Sequence, residues 1–136
     1  MRIVVSKAEL KKLRRRMRRA YPKERIEYLW GTLEGDTITI SVFDQVKHTA
    51  TNSTCEADEC DHEMSQEAAL ECGLVLIGTI HSHPSFADAA PSEGDHDYRQ
   101  DWEIVTGIVG VWRDKGRIRT HVRFYGPTLQ LEPVLV

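Results

Sequence analysis

The 136-residue sequence has no apolar run long enough to cross a membrane as a helix: its longest, residues 73–80, is far short of the ~20 residues required. The opening residues MRIVVSKAEL have no signal-peptide pattern, since charges follow the few apolar residues at once and no small-residue cleavage site appears. Cysteine is scarce and odd in number, with only Cys55, Cys60 and Cys72, which argues against a closed disulfide framework and leads us to expect a reducing, cytoplasmic setting. Internal repeats, low-complexity tracts and interdomain linkers are missing as well, so the expectation is one domain spanning residues 1–136. What is present is ordinary for a globular chain, 40% hydrophobic and 29% charged, and the length suffices to bury a core without a staple.

The net charge of −3 hides an asymmetry. Residues 1–25 hold eleven Lys and Arg against Glu9 and Glu24, whereas residues 48–103 hold thirteen acids against Arg99 alone. The basic part is mostly one helix. Ser6 to Glu9 reads as a capping box, and Leu10, Leu13, Met17 and Ala20 make one apolar stripe over residues 7–20. Lys and Arg fill its other faces and Pro22 stops it. A solvated face is the plainer reading of those cations. A nucleic-acid surface is the sharper one, but the helix has no interleaved aromatics and no reader motif, so neither nucleic acid nor membrane is expected as a partner.

The remaining elements follow from periodicity. Residues 2–5 read as a short strand. Residues 24–33 and 37–46 read as a hairpin about Glu34-Gly35-Asp36, with Ile38, Ile40 and Val42 facing the core. Residues 47–61 read as a loop, 62–72 as a helix ended by Gly73, and 74–80 as a central strand, with HSHPSFADAAP following as a loop. A helix over residues 92–102, strands over 104–112 and 118–125, and one last strand over 129–136 complete the order. Helices and strands alternate around one sheet, an α/β (α+β) class.

The chemistry gathers where the apolar strand ends. His81 and His83 stand two apart on an extended segment, so both imidazoles point to one side, within reach of one cation. Asp95 follows in the first turn of the next helix. Two histidines and a carboxylate leave a fourth position open on a tetrahedral zinc, the layout of a catalytic site, and such chemistry needs a carboxylate general base as well. Cys55, Cys60 and His62 raise a second metal site, though their spacing is unfamiliar and the surrounding acids suggest a solvated loop. Cys72 reads as a small buried hydrophobe.

His81-Ser82-His83-Pro84 followed by Ser92-Glu93-Gly94-Asp95 resembles the JAB/MPN+ (JAMM) zinc metalloproteases, whose signature is an upstream glutamate, then H-S/T-H-P, a short loop and S-x-x-D. Pro22-Lys23-Glu24 and Tyr28-Leu29-Trp30-Gly31 resemble the family's upstream half. The resemblance spans most of the chain and implies a cytidine-deaminase-like JAB/MPN fold, a curved mixed β-sheet flanked by helices. It also implies His81, His83 and Asp95 as ligands of one Zn2+, Glu24 as general acid/base and Ser92 as the donor to the oxyanion. The sequence departs from the family in two places. The loop from His83 to Ser92 is one residue longer than usual, and Glu27 stands where many members have glycine, a rival to Glu24 for the base. Ser92 also fits a helix N-cap, a role compatible with the first.

The activity implied is a zinc isopeptidase or peptidase that hydrolyses the amide at the C-terminus of a ubiquitin-like protein. Its substrate is the ubiquitin-like protein or its conjugate, and its partners are enzymes of a conjugation system, antiphage systems included. The alternatives are a non-catalytic MPN scaffold and a peptidase that processes a sulfur-carrier protein.

Overall fold

A computed structural model describes residues 1–45, 48–50, 55–57, 67, 69–84, 103–127 and 130–136. In chain order the elements are β1 (Arg2–Val5), α1 (Lys7–Ala20), β2 (Ile26–Glu34), β3 (Thr37–Gln45), β4 (His48–Ala50), β5 (Cys55–Ala57), β6 (Val75–Pro84), β7 (Val105–Asp114), β8 (Arg117–Tyr125), β9 (Gln130–Leu131) and β10 (Pro133–Leu135). Eight of them form one mixed sheet in the order β10-β1-β3-β2-β6-β7-β8-β9. The pairs β1–β10, β1–β3 and β6–β7 are parallel and the rest antiparallel.

Helix α1 has the expected bounds. Ser6 caps it by accepting from the Glu9 amide at 3.3 Å, but the other half of the capping box is not made, because the Glu9 carboxylate pairs with Lys12 at 3.3 Å instead. Tyr21, ahead of Pro22, is already extended (ψ 133°), as a residue before proline should be. Leu10, Leu13 and Met17 are buried against the sheet, in a core that also takes Ile3, Val5, Leu29, Ile40, Ile80, Val109, Phe124 and Leu131. That list draws on nearly every strand, which requires a sheet curled around the helix. The chain's last strands show the same curl. Residues 129–136 make two strands, not one: β9 joins β8 and β10 joins β1, at opposite ends of the strand order, with only Glu132 between them.

Three further expectations are corrected. The pairing of β2 with β3 slips between Trp30 and Gly31, so the inward phase of β3 passes from Ile40 to Phe43 (4% exposed) and Val42 turns outward (38% exposed). Glycine permits the slip, since a Cβ at Gly31 would lie 1.7 Å from the Thr39 carbonyl oxygen. The segment read as a loop over residues 47–61 holds the antiparallel pair β4–β5. Cys72 is exposed, because it caps a helix end rather than entering the core. Residues 69–71 are helical, Gly73 follows at φ +75°, and the Gly73 and Leu74 amides bond back to the Leu70 and Ala69 carbonyls, a Schellman closure. The expected helix over residues 92–102 lies outside the described residues, as do Cys60 and His62 of the alternative metal site. No helix among the described residues is long and apolar enough to cross a membrane.

Candidate metal centre

The site is built on β6, in the middle of the sheet between β2 and β7. The strand does not stop at Ile80. It runs through Pro84 because β7 continues to pair with it, His81 opposite Ile108 and His83 opposite Gly110. His81 is therefore held in the ladder between β2 and β7, and His83 by β7, not on a loop. Residues directly paired across strands share a face. Tyr28, Thr79, His81, His83, Thr106, Ile108 and Gly110 consequently lie on one face, and Glu27, Leu29, Ile80, Ser82 and Val109 lie on the other, under α1.

The two imidazoles converge. Their Nε2 atoms are 3.1 Å apart, with ring centroids 5.0 Å apart and planes inclined at 59°. At that separation the pair can share one proton or one cation. Two nitrogens bound at ~2.0–2.1 Å to one tetrahedral zinc would lie about 3.3 Å apart, so the donor set fits the ion in chemistry and spacing. Among the described residues no set of three His, Cys, Asp or Glu side chains meets at one point. Asp95 and Ser92, the third ligand and the hydroxyl implied by the sequence, lie outside the described residues.

Glu24 sits just before β2 and is half-buried. Its placement is set by Ser82, the residue between the histidines. The Ser82 amide donates to the Arg25 carbonyl at 2.9 Å, and the Arg25 amide donates to Ser82 Oγ at 2.9 Å. These bonds follow on from the last β2–β6 pair, Ile26↔His81, and set Arg25 beside Ser82. They tie the segment that carries Glu24 to the histidine strand.

Glu27 lies on the opposite face and is fully buried. Arg16 grips it with two bonds, Nε to Oε2 at 2.8 Å and a terminal nitrogen to Oε1 at 2.7 Å, and Arg25 Nε adds a third at 2.8 Å. The hydrogen bond to Glu27 holds the Arg16 pKa above its usual value, against the burial that would lower it. Buried on that face and held by two guanidinium groups, Glu27 is not placed to serve at the histidines.

Two features were not read from the sequence. One is the cluster of Arg16, Glu27 and Arg25, for which the available signal was Arg16's place on the flank of the apolar stripe of α1. The other is Glu103, buried just ahead of β7, whose carboxylate accepts from the Thr79 hydroxyl on the histidine face. An acid directly before an apolar strand was the hint.

Residues 6–125 match a family model described as prokaryotic homologs of the JAB domain. No curated protein matches the chain. Protein DSY2949 from Desulfitobacterium hafniense, known as a solution structure, is 16% identical with a TM-score of 0.74, over 98% of this chain and 92% of that one. AF2198, a JAB1/MPN domain protein from Archaeoglobus fulgidus, is 20% identical with a TM-score of 0.64, over 98% and 96%. A structure described as "JAMM: a metalloprotease-like zinc site in the proteasome and signalosome" is 20% identical with a TM-score of 0.62, over 100% and 99%. At these identities the likeness is one of fold.

Proposed function

We propose that this chain, which belongs to the family of prokaryotic homologs of the JAB domain, is a zinc-dependent peptidase or isopeptidase of the JAMM type. The observation that carries the reading is the pair of imidazole nitrogens 3.1 Å apart on a strand to which the Glu24 segment is clasped by Ser82. His81, His83 and Asp95 would hold the ion. Bound there, zinc supplies the Lewis acidity that lowers the pKa of a water and polarises a carbonyl. Glu24 takes a proton from the attacking water and hands it to the leaving amine. Ser92 donates from its hydroxyl to the oxygen that gains charge.

The substrate we infer is the amide at the C-terminus of a ubiquitin-like protein, either a conjugate or a precursor, with conjugation enzymes as partner proteins. The acidic character of residues 48–103 supports this, because it would draw in a basic tail. The test is Glu24→Gln, assayed for metal content and for cleavage of a ubiquitin-like protein extended at its C-terminus. We expect zinc retained and turnover lowered by ~10²-fold or more, the usual size of a lost general acid–base group. Unchanged turnover would remove Glu24 from the base role. A metal-free purified protein that takes up no added zinc would remove the reading itself.

A further inference from the structure

We propose that the outer edge of β8, over residues 117–122, is a docking site at which an extended acidic segment of another protein adds to the sheet as a further strand. This surface does not depend on the zinc reading.

β8 pairs with β7 without a register break, from Thr106↔Tyr125 to Asp114↔Arg117. On its other side β9 reaches only Phe124 and Tyr125. Among the described residues no strand pairs with the outer edge of residues 117–122. The hairpin loop Lys115-Gly116 has two residues, so Asp114 and Arg117 form its closing hydrogen-bonded pair. The outward backbone groups then belong to Ile118, Thr120 and Val122, in phase with Phe124, which is the residue that meets Leu131 of β9. Sheet edges are commonly blunted by proline, a bulge or a short strand. This one has none of these, its arginines being the one blunting device it carries, and among the described residues three consecutive outward N–H and C=O pairs have no strand partner.

Charge selects the occupant. On one face of the edge stand Arg117, Arg119, His121 and Arg123, with Arg123 Nε donating to His121 Nε2 at 3.1 Å and Arg119 Nε donating to Asp114 at 2.9 Å. On the other face lies α1. Its Arg16 side reaches Glu27 of β2 and the Phe43 carbonyl of β3, so its opposite flank is turned to β7 and β8, against which it also packs. At 100° per residue that flank carries Lys7, Lys11, Arg14 and Arg18. The Nε of Arg14 is buried there without a hydrogen-bond partner. An added strand would therefore meet cations on both of its faces. A second copy of β8 would set arginine against arginine, which is destabilising, whereas carboxylates at alternate positions of an added strand complement the arginine face of β8. Nucleic acid would meet the cations but leave the outward amides and carbonyls unused.

The probe is a capped peptide of about nine residues alternating Glu with Val and Thr, with the same peptide carrying Lys for Glu as control. We expect the acidic peptide to slow amide hydrogen exchange at Ile118, Thr120 and Val122 by ~10-fold or more, and the control to leave it unchanged. Thr120→Pro removes an outward N–H while leaving the β7 ladder intact, so it should weaken peptide binding by ~10-fold or more. The reversal Arg119→Glu with Arg123→Glu should abolish it. Exchange is read on the unsubstituted protein, so the answer stands even if a variant does not fold. A peptide that protects none of the three amides overturns the proposal. So does one that binds Thr120→Pro as tightly as the parent, and a single-stranded oligonucleotide with that same indifference would mark the surface as a platform for polyanions. His83→Ala, which disables the metal site, should bind the peptide unchanged.

Discussion

Replacing Arg16 by Met should destabilise the fold far more than removal of any other arginine from the basic helix. Glu27 has no exposure to water, and the substitution takes two of its three charge-assisted hydrogen bonds while leaving its charge in place. Removing one partner of a buried pair costs roughly 3–5 kcal/mol. Arg25 remains in contact with Oε2 and the Arg16 side chain is itself 15% exposed, so the lower end, about 3 kcal/mol, is expected. For a chain of this length that corresponds to a fall in Tm of about 10 °C. The companion is Arg16→Met with Glu27→Met, which removes the buried charge as well and releases Arg25, 19% exposed, toward water. Calorimetry on these and on Glu27→Met should show the double variant losing less than the sum of the two single variants by about 1 kcal/mol or more. The pH dependence has a definite sign. The folded-state pKa of Arg16 is raised, so the stability it contributes is fully present below its unfolded value and is lost only as pH rises through the folded one. An alkaline scan to about pH 10 should therefore leave the difference between parent and variant unchanged. A cost below about 1 kcal/mol for Arg16→Met, or simple additivity in the double variant, would refute the description of Glu27 as a buried charge held by its arginines.

Thr106 carries a buried hydroxyl with no hydrogen-bond partner, so Thr106→Val should stabilise the protein by about 1 kcal/mol, seen as a rise in Tm; a fall would mean that the hydroxyl is satisfied in solution. Ser82→Ala keeps the strand bond to the Arg25 carbonyl but strips the acceptor from the Arg25 amide, at a cost of about 1–2 kcal/mol in chemical denaturation. On the proposed reading it should also lower the rate of amide cleavage while zinc content stays at the parent level, and loss of zinc with the rate would place Ser82 in the metal's support instead.

Several local signals in the sequence carry through to the structure. Ser6, the stripe of Leu10, Leu13 and Met17, and Pro22 bound α1 as expected, and Gly35, at φ +58°, stands in the hairpin turn expected about it. The HSHP spacing likewise predicted two imidazoles on one side, and β6 presents them so. What escaped was set by partners distant in sequence. Val42 was read inward because nothing in its own run reveals that Gly31, a strand away, lets the ladder slip. Residues 81–84 read as the opening of a loop because their pairing depends on β7, more than twenty residues on. The division of residues 129–136 between two edges of the sheet follows from the sheet's curvature, which no short window contains. Glu27 looked like a rival base because its two arginines come from another helix and from its own strand's approach, a contact that only the packed molecule makes.

Those contacts give the basic helix a part in the site's geometry. The alternation that sends His81 and His83 to one face sends Ser82 to the other, where it is buried and small enough to lie against the Arg25 backbone. Arg25 is bonded to Ser82 by its backbone and to Glu27 by its side chain, and Glu27 is bonded to Arg16 of α1. A continuous run of short bonds therefore joins the core helix to the histidine strand, and Glu24 is the residue next to the point where they meet. A solvated face explains the exposed Lys11, Lys12, Arg15, Arg18 and Arg19. It does not explain Arg16, whose charge is used entirely inside the protein. A shift of α1 along its axis would pull on Glu27, then on Arg25, and so displace Glu24 relative to the two imidazoles. The helix that fills the curled sheet is for that reason also tied, through Glu27 and Arg25, to the segment that carries the proposed base.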